Sequence, residues 1–125
     1  MKQQNNQPNV SRPTRVAQEI KRTVAELLIR EAKDPRFQLI NITECKISKD
    51  LSSAKIHFTL IGHQKDDPEV LSVTEALEKA KGYLRTELGS RLRLRIVPDI
   101  RFYYDSIPED AAYMEDLINR ALNKK

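Results

Sequence analysis

Between residues 53 and 62 apolar and polar side chains alternate one for one. Ala54, Ile56, Phe58 and Leu60 share one parity, while Lys55, His57 and Thr59 share the other. A period of two belongs to a β-strand whose successive side chains point to opposite faces, so this segment sits in a sheet with one buried and one solvated face. A one-sided sheet needs an apolar layer over its inner face, and the flanking sequence supplies it in helical rather than strand periodicity.

On the N-terminal side, Ser11 and Pro13 give a helix-start signal, and Val16, Ile20, Val24, Leu27 and Leu28 recur at spacings of three and four. Pro35 disfavours helical backbone in the residue before it, so this helix is expected to end at Lys33 or Asp34, with Asp34 a terminator rather than an acid or base. Residues 38 to 49 read as a strand that pairs with 53 to 62 through a turn at Asp50, Leu51 and Ser52, with Gly62 closing the hairpin. In that first strand Ile40 and Ile42 share one parity and Cys45 and Ile47 the other, which predicts a β-bulge near Thr43 or Glu44.

Beyond an acidic turn at 65 to 69, Val70, Val73, Leu77, Ala80, Leu84, Leu88 and Leu92 continue a helical stripe through Gly82. Glycine inside a helix costs about 1 kcal/mol relative to alanine, so the expectation is two helices with a kink at Ala80 and Gly82. A third strand is expected from about Arg95 to Tyr104, with Ile100, Phe102 and Tyr104 on one face, Arg101 and Tyr103 on the other, and Pro98 at an edge or bulge. A short helix from about Glu109 to Leu122 closes the chain.

The order α-β-β-α-kink-α-β plus a short C-terminal helix, with helices on one face of a three-stranded sheet, is an α+β arrangement and the order of a type II KH domain. An RNA-recognition motif of the RRM kind is excluded, since it begins on a strand and carries aromatic signature strings absent here. The chain's 125 residues suit one domain. It is expected to span 11–122, with 1–10 a disordered Gln- and Asn-rich tail and 123–125 the C-terminal end. Neither a signal peptide nor a membrane span is indicated, so the expected compartment is cytoplasmic. Cys45 is the only cysteine, which excludes an internal disulfide and any multi-cysteine metal site.

The formal net charge is only +4, but its distribution is uneven. Residues 79 to 101 hold Lys79, Lys81, Arg85, Arg91, Arg93, Arg95 and Arg101 against Glu87 and Asp99. This matches the footprint of a phosphate-binding surface, although a solvated face explains the same count.

Four strings stand out in order: RPTRVAQEI at Arg12 to Ile20, EAKDPRF at Glu31 to Phe37, ISKDLSSAKIHF at Ile47 to Phe58, and ALEKAKGYLRTELGSRLRLRIVPDIRFYYDSIPE at Ala76 to Glu109. Together they resemble the ribosome-binding factor A family of bacterial small-subunit assembly factors. The resemblance implies a KH-like type II fold in which an Ala-x-Gly kink, matched by Ala80, Lys81 and Gly82, replaces the usual GxxG loop. It also implies binding to the immature 30S subunit and 16S rRNA during late rRNA maturation and processing, and a role in cold adaptation.

Read from the residues alone, the absence of any GxxG argues against ordinary KH clamping of a loose strand. Lys81, Gly82 and Arg85 remain candidates to meet phosphate, and Ala80 and Gly82 can equally be small because helices pack there. Arg91, Arg93 and Arg95 alternate with Leu92, Leu94 and Ile96, so an extended backbone would place three guanidinium groups on one side to engage phosphate; a charged edge that prevents aggregation is the other reading. Arg12 and Arg15 are secondary RNA-binding candidates. Tyr83, Tyr103 and Tyr104 are expected to be half-buried core residues. His57 and His63 lack partners at metal spacing, and no nucleophile, base and orienting group can be assembled, so no metal, cofactor or enzymatic activity is expected. The expected molecule is monomeric when free. A protein-interaction adaptor that binds an acidic partner and reaches RNA indirectly fits the same charge map.

Overall fold

The computed structural model describes residues 11–31 and 33–123, so the tail expected at 1–10 lies outside the described residues. Helix α1, Arg12–Glu26, starts where the Ser11 hydroxyl accepts from the backbone N–H of Thr14 at 3.2 Å, with Pro13 in the first turn. Its apolar stripe buries Val16, Ala17, Ile20 and Val24. A π-helical turn, Leu27–Glu31, extends it and adds Leu27 and Leu28 to the core.

Asp34 then caps a short 3-10 helix, Pro35–Leu39, by accepting from the Arg36 N–H at 2.9 Å. Its carboxylate also grips the Arg36 guanidinium, whose Nη1 reaches Ser72 Oγ at 2.6 Å, so this corner is tied to the next long helix. The Arg36 hydrogen bonds hold the Asp34 carboxyl below its usual range.

Strands β1, Ile40–Ile47, and β2, Ser53–Leu60, form the antiparallel hairpin. Register slips between Ile42 and Glu44, leaving Thr43 as the bulged residue that the parity change predicts. Strand β3, Asp99–Tyr104, pairs with β2 in parallel, giving the order β1-β2-β3. Such a connection requires a crossover, and helix α2, Pro68–Leu92, provides it. Ile56, Phe58 and Leu60 meet Val24, Leu77, Leu84 and Leu88 in one core under α1 and α2, and Ala54 is buried on the same strand face. The result is a three-stranded KH-like α+β fold.

Three expectations are corrected. The stripe from Val70 to Leu92 is one unbroken helix of 25 residues, not two. Glycine, unlike proline, keeps both its backbone donor and acceptor, and the buried Leu77, Leu84 and Leu88 on both sides of Gly82 hold the ladder together. The third strand begins at Asp99 rather than Arg95, because α2 ends on Arg93 in left-handed backbone (φ 53°, ψ 42°) and residues 94 to 98 form an irregular link. The closing helix α3, Ile107–Asn123, starts two residues before its expected position and buries none of its side chains.

Candidate nucleic-acid interface

The left-handed turn at Arg93 decides where the basic side chains go. It sends the chain from the end of α2 back toward the start of α1, and the N–H of Leu94 bonds the Gly89 carbonyl at 3.2 Å. Gly89 makes the close approach possible, since a Cβ there would lie 2.9 Å from Val97 Cγ2. Arg85 fixes the same link from α2, donating to the carbonyls of Pro98 at 3.1 Å and Val97 at 3.0 Å.

A groove of about 510 Å³ lies elsewhere, between α1 and β1, but the basic one, of about 500 Å³, forms where this link meets the first turn of α1. Arg12 and Arg15 line the groove from α1, Arg93 and Arg95 from the link, with Glu19 and Asp50 also on its walls. All four arginines are exposed. Among the described residues none of these four guanidinium groups has a carboxylate or hydrogen-bond partner. Asp50 is committed to its own turn: Ser48 Oγ and Ser52 Oγ each donate to it at 2.7 Å, the Ser52 N–H at 3.1 Å, and these bonds lower its carboxyl to about 2. Four exposed guanidinium groups around one groove, none of them held by a carboxylate among the described residues, can bind phosphate through paired N–H donors.

The remaining candidates lie elsewhere. Arg91, still helical, contacts Glu87 at 3.1 Å, so the row of Arg91, Arg93 and Arg95 on one extended strand does not form; Arg93 and Arg95 join Arg12 and Arg15 instead. Lys81 pairs with Glu78 at 2.7 Å and borders a further cavity of about 380 Å³ with Arg101 and Tyr103. Gly82 is exposed, and a Cβ added to it would meet nothing within 4 Å, so tight packing does not account for this glycine. Ala80, by contrast, is partly buried against the core.

Tyr104 is half-buried as expected, but Tyr83 and Tyr103 are 41% and 40% exposed, Tyr103 lying 5.7 Å from the ring of His57. Sequence reasoning passed over Gly89, whose only signal is a glycine one turn before a helix end. It also passed over Arg101 and Tyr103 as companions of Lys81, although their shared parity was visible.

Comparison with known proteins follows the same lines. The family model described as ribosome-binding factor A matches residues 12–118. The chain is 54% identical over 116 residues to ribosome-binding factor A of Hydrogenovibrio crunogenus, covering 93% of this chain and 96% of that protein. It is 42% identical over 114 residues to the same factor from Staphylococcus carnosus, covering 91% and 96%. The crystal structure of ribosome-binding factor A from Thermus thermophilus superposes with a TM-score of 0.62 at 25% identity, covering 74% of this chain and 93% of that one. A Thermus thermophilus RbfA homology model, fitted into the cryo-EM map of a 30S–RbfA complex, gives a TM-score of 0.56 at 26% identity, covering 70% and 88%. With a family model spanning nearly the whole described fold, and relatives matched over almost their full length, the chain belongs to the ribosome-binding factor A family.

Proposed function

We propose that this chain is a non-catalytic assembly factor that binds the immature 30S subunit, contacts its 16S rRNA through the arginine groove, and assists late 16S rRNA maturation, including at low temperature. The observation that carries the RNA contact is the convergence of Arg12, Arg15, Arg93 and Arg95 on one groove without carboxylate partners. The Thermus thermophilus relative, fitted into a 30S complex, supports the choice of particle. A groove of this kind suits the backbone of structured rRNA, where phosphates are presented at fixed spacing. The protein acts in the cytoplasm as a monomer before it docks, residues 11–122 forming the binding domain, and needs no cofactor.

The test uses the purified full chain, immature small subunits and a variant with all four groove arginines changed to Ala. Crosslinking to 16S rRNA should be lost and affinity for the particle should fall roughly tenfold or more, with the circular dichroism spectrum unchanged. Unaltered crosslinks and unaltered affinity would overturn the assignment and favour an adaptor that meets RNA indirectly.

A further inference from the structure

A pocket of about 420 Å³ opens where the 3-10 corner faces the middle of α2. Its interior is apolar: Phe37 and Ala76 are buried, and Ala80 packs partly against the core. Arg36, Asp34 and Tyr83 also line it, together with the exposed Lys33 and Lys79. None of the four groove arginines lines this pocket, and Lys81 borders the cavity beside Arg101 instead. Along α2, Lys79 and Arg93 are roughly 21 Å apart at the helical rise per residue.

Arg36 reaches this pocket with its N–H edges already engaged. Its Nε donates to Asp34 at 3.0 Å, its Nη2 to the same carboxylate at 2.6 Å, and its Nη1 to Ser72 Oγ at 2.6 Å. These bonds fix the guanidinium plane between two elements, yet the side chain remains 42% exposed. A guanidinium held by its edges has little left for a phosphate or carboxylate, and what it offers a ligand is its flat face. Flat faces of arginine and tyrosine stack on nucleobases, and the largely exposed Tyr83 ring lines the same pocket.

The charges around the pocket are not balanced. Among the described residues Asp34 is the one carboxylate that lines it, and Arg36 neutralises that group. Glu69 and Glu75 act on Arg36 from α2 but do not line the pocket. Lys33 and Lys79 have no carboxylate or hydrogen-bond partner among the described residues. An apolar protein side chain would fill the interior and leave both ammonium groups unmatched, while a bare phosphate would meet the cations and leave the interior empty. A base with its flanking phosphates satisfies both. We infer that this pocket takes one unpaired nucleobase of single-stranded RNA, stacked on Arg36 and Tyr83, with the neighbouring phosphates on Lys33 and Lys79. The inference rests on the proposed function only in that RNA is the ligand, and it adds a contact to unpaired RNA separate from the arginine groove.

The full-length chain is irradiated with a short oligouridine carrying one central 4-thiouridine, and the attachment site is mapped by mass spectrometry. Crosslinks are expected at Tyr83 and its neighbours in the pocket. Lys33→Glu with Lys79→Glu, at two exposed positions, should cut the yield roughly tenfold, and Tyr83→Ala about as far, whereas Tyr83→Phe keeps the ring and the crosslink. An oligomer with an abasic central residue should compete about tenfold more weakly than the intact one. Crosslinks confined to the arginine groove or to the cavity beside Lys81, no crosslink at all, or a yield unmoved by the two lysine substitutions would overturn the assignment. So would displacement by an acidic peptide bearing one phenylalanine but not by uridine monophosphate. The variant lacking all four groove arginines should lose the particle and keep the Tyr83 crosslink, so failure of the groove and failure of the pocket are read separately; loss of both together would overturn the pocket as an independent contact.

Discussion

Gly82 and Gly89 lie on the same helix and answer opposite demands. A methyl group at Gly82 meets open space, so Gly82→Ala should gain helix propensity, about 0.5–1 kcal/mol, and raise the melting temperature by a few degrees. At Gly89 the same methyl lies 2.9 Å from Val97 Cγ2, on a link already clamped by Arg85, and overpacking of about 1–3 kcal/mol outweighs the gain. Paired thermal melts check the signs. Gly82 therefore carries no stability benefit as glycine, and if it serves close approach of an RNA backbone, Gly82→Ala should weaken particle binding while stabilising the fold.

Cys45 offers a second test at this scale. Burial, then the nearby Glu44 carboxylate, push its thiol up to about 11. The native state thus holds the proton more tightly than the unfolded chain. The resulting stabilisation is complete below the ordinary thiol pKa of ~8.5 and fades as pH rises toward about 11. At pH 8 alkylation by iodoacetamide should be roughly a hundredfold slower in the folded protein than in urea, in line with its smaller thiolate fraction.

Among the elements, β1 shows what one extra residue does. The bulge turns Thr43 so that its hydroxyl donates to Asp105 at 2.6 Å, and the other oxygen of that buried carboxylate receives the first N–H of α3. Thr43→Val keeps the shape and removes the donor. It should cost about 1–3 kcal/mol in denaturant unfolding and loosen hydrogen-exchange protection at the start of α3, with the hairpin unaffected. The bulge was legible because a change of parity in a half-buried strand has few other solutions. The length of α2 was not legible, since glycine lowers helix propensity locally while the deciding term is the burial of Leu77, Leu84 and Leu88, which only the tertiary fold reveals. The arginine arrangement failed to show for a similar reason. A left-handed Arg93 is a conformation that non-glycine residues adopt rarely, so alternation of Arg and Leu looked like a strand.

Across the whole molecule the groove predicts a salt law. Four arginines that each neutralise one phosphate give a slope of log affinity against log salt of roughly −3, and R93A/R95A should halve it. Titrations of particle binding across salt concentrations check both values; a slope unchanged by the double substitution would remove these two side chains from the RNA contact. The individual arginines were all visible in the sequence as basic candidates, yet their grouping was not, because Arg12 and Arg15 come from the first turn of the domain and Arg93 and Arg95 from the far end of a helix about 38 Å long.

That separation has a consequence for the life of the chain. Because β3 pairs in parallel with β2, the link carrying Arg93 and Arg95 reaches the start of α1 only after α2 has crossed the sheet and the last strand has docked. A growing polypeptide therefore carries these arginines dispersed and brings them into one cationic groove only when the domain closes. Under the proposed function, folding must be complete before the groove can hold phosphate.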